Sequence, residues 1–355
     1  NRENFEDFST KITDRSKTKN FYNVSPSFSP DGNTIAYFTD KNGYMDLILY
    51  RLDSNKEKSR LIRGNTSPDF EELKWLQPGI SWSNDGKYIS FASKSGKQDS
   101  IIIVDVDNGK YKKIPISLDG VFTTSWSPVE NKITFMGHKN NSSDIYVINL
   151  DNNEIINVTN DIFSDSSPRW STDGLNIYFT SDRGNAQKVS DMNNVDFSQT
   201  DIFKYNTLTA EITQITNTEF NENYPVPNNK GDLFYTSDYN GVTNIFKHNL
   251  TSGEAFPITN VITGVQQIDI DKNDNLIFSG YKKRGWDLYL IDNINLAKRK
   301  EVKDTKYFIE RHSDDNFEDL RSFKRKELVT NQQDYSGYIF ARNYDYKNEV
   351  KKEKN

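Results

Sequence analysis

The sequence predicts an all-β protein: a six-bladed β-propeller of four-stranded antiparallel blades, its ring closed by the N-terminal strand, with a charged C-terminal extension. Three observations predict it. The phrase in "FSPDGNTIAYFT" (28–39) is rewritten along the chain, and self-similarity at a steady period marks a repeat architecture. The residues ahead of the successive turns, Phe28, Trp82, Trp126, Trp170, Val226 and Ile270, are spaced 54, 44, 44, 56 and 44 apart, the length of a four-stranded blade. With 19 Tyr and 22 Phe against 3 Met, the chain also favours pleated surfaces over helices.

Each copy parses in the same order. An inner strand such as "PSFS" runs into a turn, "SPDG", "SNDG", "SPVE", "STDG", "PNNK" or "DKND", whose residues suit a tight reversal. In the fifth copy the register can shift by one, making Pro227 the anchor. A second strand follows, then a third opened by Asp46, Asp99, Asp144, Asp201, Asn244 or Asp287. Fourth strands read "SRLIRG", "KKIPIS", "IINVTND", "EITQITNT" and "AFPITNV". The sixth copy has none after "LYLIDN", but "STKITDRS" (9–16) carries the same pattern ahead of the first copy. Residues 10–14 are therefore expected to form the outer strand of the last blade, leaving no open edge at the junction. The blades are expected at about 25–63, 79–118, 120–159, 165–216, 221–259 and 264–293, with 294–355 as an extension or linker.

Composition narrows the function classes. Without cysteine there is no disulfide, thiolate metal site or cysteine nucleophile. No run approaches 18 apolar residues, so the sequence predicts no membrane span. A net charge of −6 argues against a nucleic-acid partner. Residues 294–355 hold 15 Lys/Arg and 12 Asp/Glu, so the ring itself carries the negative excess. The opening "NRENFEDFST" reads as that of a mature or excised segment, and a further domain is expected beyond residue 355.

The units "FSPDGNTIAYFTDKNGYMDLILYRLD" and "WSTDGLNIYFTSDRG…TDIFKYNTLTAEITQITN" resemble the repeats of the TolB-type β-propeller family over about residues 9–293. That resemblance implies a six-bladed ring in a periplasmic or cell-envelope compartment of a bacterium, most often a docking platform for proteins. The same repeat occurs in some peptidases and polysaccharide lyases, so the resemblance is specific to the propeller and not to one activity. The eroded turns of copies three, five and six depart from the pattern.

Most repeat residues read as structural. Gly32, Gly86 and Gly174 supply the positive φ of their turns. Asp31, Asp85 and Asp173 bond local backbone. Trp82, Trp126 and Trp170 pack between blades, and Asp46 with its counterparts braces neighbouring turns. Function is then sought where the repeat is interrupted. Residues 64–79 and 184–200 account for the two long spacings, and both connections emerge at one mouth of the ring. "SPDFEELKWL" reads as a short helix capped by Ser67, with Pro68 at its first position and acids in its first turn. The binding residues predicted at this mouth are Phe70, Glu71, Glu72, Trp75, Arg183, Met192, Phe197, Tyr239, Arg284 and Trp286, since aromatic and Arg side chains anchor interfaces. Asp119, Asp165 and Glu222 are expected near the channel entrance, where they leave room for a divalent cation; no other cofactor is implied.

Catalytic signatures are missing. The three histidines, His138, His248 and His312, form no zinc pattern, and there is no nucleophile elbow or phosphate-binding glycine loop. "DKNDN" (271–275) falls on a blade turn and lacks the later Glu of a calcium loop. The sequence thus predicts a non-catalytic protein- or peptide-docking propeller. The alternatives are a lyase or hydrolase with a cation-assisted channel site, or a structural spacer in a larger envelope protein.

Overall fold

In the computed structural model, residues 2–64, 68–77, 79–184 and 197–305 are described. Residues up to Lys303 make one compact unit; Asp304–Asn355 make a second, nearly all of it outside the described residues. The first unit is a ring of six antiparallel sheets. Blade 1 runs Asn23–Phe28, Thr34–Thr39, Asp46–Arg51 and Lys56–Arg63 from channel to rim. Blades 3, 4 and 5 repeat that order from Gly120, Asp165 and Glu222. In blade 6, Val265–Ile270, Leu276–Lys282 and Gly285–Ile291 are completed by Thr10–Lys11 from the other end of the chain, which pairs Leu290 and Tyr289. The predicted closure is therefore observed.

The turn phrase works through its serine as much as its glycine. Ser29 N–H donates to the Thr34 carbonyl (2.8 Å), its hydroxyl accepts from Thr34 N–H (2.9 Å), and Asp31 accepts from Asn33 N–H (3.0 Å). Ser83 and Ser171 repeat these contacts. Gly32, Gly86 and Gly174 close the turns at φ 78°, 71° and 73°, a region costly for residues with a Cβ. In the eroded turns of copies five and six Asn228 and Asp271 replace the serine. Asn228 Oδ1 accepts from Lys230 and Asp232 N–H, and Asp271 Oδ1 accepts from Asn273 and Asn275 N–H. Of the two "DKNDN" carboxylates, Asp271 is thus used within its own turn and Asp274 pairs Lys230 at 2.6 Å.

The blade 5 register takes the shift the sequence allowed, and one further register differs from expectation. In blade 5 the anchor is Pro227, opposite Leu233, and in blade 6 Ile270 faces Leu276, one residue earlier than the repeat count gives. A larger correction concerns residues 67–76. The described residues contain no helix there; Glu72–Leu73 pairs Lys94 and Ser93 as the first piece of blade 2's inner strand, and Ser81–Trp82 is the second. Strand pairing satisfies this backbone where a single short helical turn would leave most of its amides unbonded.

Apolar side chains fill the spaces between blades. Ile35, Ile89, Ile133, Ile177, Leu233 and Ile277 are all fully buried. Trp82 and Trp170 are buried and Trp126 packs against the blade 3 core; Trp82 also donates its indole N–H to the Ser27 carbonyl of the preceding blade.

Candidate functional site: the decorated mouth

In a blade of four antiparallel strands, the second-to-third and fourth-to-first connections leave from the same end. Both interruptions of the repeat lie on this mouth. The first folds inward across the channel. Phe70 is buried against Phe91 and Tyr111, with ring centroids at 6.3 and 4.9 Å, and Asp69 pairs Lys113 at 2.8 Å. These contacts fix the segment to blade 2. Beyond Leu73 it projects over the opening, where the Trp75 carbonyl accepts from the Ser25 hydroxyl (2.9 Å) and from Gln267 Nε2 (3.3 Å). Gln267 Nε2 also reaches the Leu76 carbonyl (3.3 Å), while its Oε1 accepts from Ser25 N–H (2.8 Å). The Trp75 ring lies 4.6 Å from that of Tyr22. One loop from blade 2 is thereby tied to blades 1 and 6.

Below it the channel is crossed by an ion pair between Arg169 of blade 4 and Asp269 of blade 6. The sequence breaks its own rule at these residues. The position before the anchor is Ser27, Ser81 or Ser125 in blades 1 to 3, and the Ser81 and Ser125 hydroxyls accept from the next blade's Trp126 and Trp170 N–H at 2.8 and 3.2 Å. After blade 4 the next anchor is Pro227, which has no N–H to donate. Arg169 instead spans blade 5 to Asp269, whose other oxygen accepts from Phe28 N–H (2.7 Å). Burial pushes the Asp269 carboxyl up, and Arg169 opposes that shift. The central cavity left among the inner strands is about 30 Å3, room for about one water.

The predicted binding residues separate into groups. Phe197, Tyr239 and Arg284 are exposed on the mouth, as are Glu71 and Glu72; Trp75 and Trp286 are half-buried there. Phe70 and Arg183 are buried, their contacts made within the ring. Met192 lies outside the described residues, as does most of 184–200. Asp119 is exposed and accepts from Asn140 N–H at 3.0 Å. Asp165 and Glu222 do not line the channel entrance as expected. They are buried between blades, at 0% and 2% exposure, because the first inner-strand residue faces the preceding blade. Asp144, Asp161 and Asp165 bring carboxylate oxygens within 4.8 Å of one another, a spacing that could hold a metal ion. Arg183 stands in their midst, however, with Nη2 at 2.8 Å from both Asp165 oxygens and Nη1 at 3.1 Å from Asp161. The Arg169–Asp269 crossing and the Gln267 tie escaped the sequence reading, although the loss of serine before the anchor was a usable signal.

The mouth also concentrates exposed apolar side chains. Phe21, Leu76, Ile162, Phe197, Tyr239 and Ile262 all sit on these connections, led by Leu76 at 67% and Phe21 at 60% exposure. The opposite face exposes fewer, among them Val129, Leu175 and Leu208 at separate turns.

Comparison with known proteins gives a consistent picture of the ring. Residues 73–201 match the family model described as the TolB beta propeller domain. An uncharacterised protein of Agrobacterium fabrum is 28% identical over 177 residues, covering 47% of this chain and 57% of that protein. The crystal structure of TolB from Acinetobacter baumannii aligns with a TM-score of 0.56 at 16% identity, covering 74% of this chain and 64% of that one. Oligogalacturonate lyase from Vibrio parahaemolyticus aligns at 0.50 with 14% identity, over 80% and 93% of the two chains. The chain thus spans less than two thirds of the first two relatives. At such identities the structural likeness establishes the fold alone.

Proposed function

We propose that this six-bladed β-propeller, whose residues 73–201 match the TolB beta propeller domain model, docks a protein or peptide on its decorated mouth, in a bacterial envelope compartment and without catalysis. One observation carries the reading: exposed apolar side chains gather on the face where the repeat is interrupted. Single exposed apolar residues are ordinary on any surface, but their concentration on one face favours that face as an interaction site. The closed channel supports the same reading. With Trp75 and Leu76 tied over it and Arg169 paired to Asp269, a partner meets a rigid surface and little interior space. Such preorganisation lowers the ordering cost of association.

The test is capture of a partner from an envelope extract on immobilised protein, with substitutions on the two faces. Leu76→Glu and Tyr239→Glu should each abolish capture while leaving the thermal midpoint unchanged. Leu208→Glu on the far face should retain it. Equal capture by all three variants would overturn the assignment to this mouth.

A further inference from the structure

Between blades 5 and 6 the repeat changes in another way. The inner-strand residue just before the bulge is Val24 in blade 1 and Phe122 in blade 3, but Asn223 in blade 5 and Gln266 in blade 6. Two adjacent blades thus place amides where blades 1 and 3 place apolar groups and blade 4 places Ser166. With Asn221, Tyr224, Asp238 and Thr243, these two amides line a cleft of about 170 Å3 on the mouth side. Among the described residues, the side chains of Asn223, Tyr224, Thr243 and Gln266 have no hydrogen-bond partner. We propose that this cleft binds one residue of a neutral saccharide, a function beyond protein docking.

The lining selects by chemistry. Carboxamides and hydroxyls offer donors and acceptors side by side, matching sugar hydroxyls that are each both. No Lys or Arg lines the cleft to hold an anion. Its one carboxylate, Asp238, already accepts from Asn221 N–H (2.8 Å) and Nδ2 (3.0 Å), which leaves it a poor sole ligand for a cation. Apart from the Tyr224 ring there is no apolar wall for a peptide anchor. The volume is well below the roughly 300–1,000 Å3 of drug-sized pockets and suits a single ring. The Tyr224 ring supplies the aromatic surface on which the C–H side of a sugar can rest.

Saturation-transfer NMR with the full chain tests this, using glucose, galactose, mannose, N-acetylglucosamine and their β-linked disaccharides, with galacturonate and triglycine as contrasting probes. Transfer to at least one neutral sugar is expected. Its Kd should weaken at least tenfold in Gln266→Leu and in Thr243→Val, a nearly isosteric change that keeps the fold. No transfer to any neutral sugar, transfer only to galacturonate or triglycine, or a Kd unmoved by both substitutions would overturn the proposal.

Discussion

On one side of blade 4 the acids of the inter-blade seam are buried Asp144 and Asp165 with half-buried Asp161; on the other side they are Asp201 and Glu222, both buried. The two seams share a plan. Asp144 and Asp201 each lie at the start of a third strand and accept from a threonine two residues past the fourth strand, Thr159 at 3.3 Å and Thr216 at 3.2 Å. Asp165 and Glu222 each open the next blade's inner strand. They differ in what offsets the charge. Arg183 enters the first seam, bonded to Asp165 and Asp161 and set 5.3–5.4 Å from the rings of Phe163, Phe179 and Phe203. At the second seam no described basic side chain pairs with either acid, and a proton takes the cation's place. Burial first, then the Asp201 charge, pushes Glu222 up to about 8, against the hydrogen bond from Thr218 (2.7 Å). Glu222 Oε2, orphaned if ionised, can then donate toward Asp201. The repeat requires oxygen acceptors at each seam, and each seam neutralises them with what its own blades supply.

The largest expected effect comes from removing the cation. Arg183→Met keeps an aliphatic stem against the three rings but strands Asp165, which is fully buried. Breaking a buried pair from one side costs about 3–5 kcal/mol, and urea unfolding should show a loss of that size. Adding Asp165→Asn should recover much of it, because the uncompensated charge is then gone. A loss below about 1 kcal/mol for Arg183→Met alone would show that Arg183 contributes packing and little neutralisation.

The second effect is a pH dependence led by the other seam. In the unfolded chain Glu222 releases its proton near the ordinary 4.5, but in the folded ring it holds that proton to about 8. Between these values the folded state binds more protons, so stability falls as pH rises and levels off above about 8. Asp161, raised to about 6 chiefly by burial, adds a loss of the same sign between about 4 and 6. Glu222→Gln supplies the donor without titrating. Around pH 5 it should stay close to the parent; at pH 9 it should be more stable by a few kcal/mol, with about 5 kcal/mol as the ceiling set by a shift from 4.5 to about 8. Identical slopes of thermal midpoint against pH in both proteins would exclude the shared proton.

The sequence exposed the ring more readily than these seams, for physical reasons. Turns and strand ends use local bonds, so their residues recur at fixed offsets. "KITD" at 11–14 was readable as a fourth strand because Thr13 does what Thr159, Thr216 and Thr259 do: it accepts from a third-strand N–H, that of Leu288 (2.9 Å), and faces the opening Asp287 (3.1 Å). Residues 67–76 misled because a cap-like Ser-Pro and following acids are local signals, and pairing with Lys94 and Ser93 overrode them. Arg183, Asp165 and Glu222 looked like rim residues, since nothing near them in the chain reveals the facing blade that buries them. Arg169 and Asp269 are 100 residues apart, and only their place in the repeat links them.

A gentler experiment asks whether the two seams can be made alike. The fourth-strand residue opposite the second residue beyond the opening acid is Arg60 in blade 1 and Lys11 in blade 6. They pair with Asp46 at 3.7 Å and Asp287 at 3.1 Å. In blade 4 the same position is Gln214, which faces Phe203 and donates to Asp201 Oδ2 at 3.3 Å. Gln214→Lys therefore copies the Lys11 arrangement into the seam without a cation. The ammonium should hold Asp201 ionised and reduce its demand on the Glu222 proton, flattening the fall in stability between pH 6 and 9. Because Gln214 is half-buried and near solvent, the gain at pH 9 should be about 0.5–1 kcal/mol, smaller than that of Glu222→Gln. Paired in one protein, the two substitutions should give less than the sum of their separate gains, since both relieve the same charge. Full additivity would mean that the lysine acts elsewhere on the surface and that the missing cation does not set the Glu222 proton.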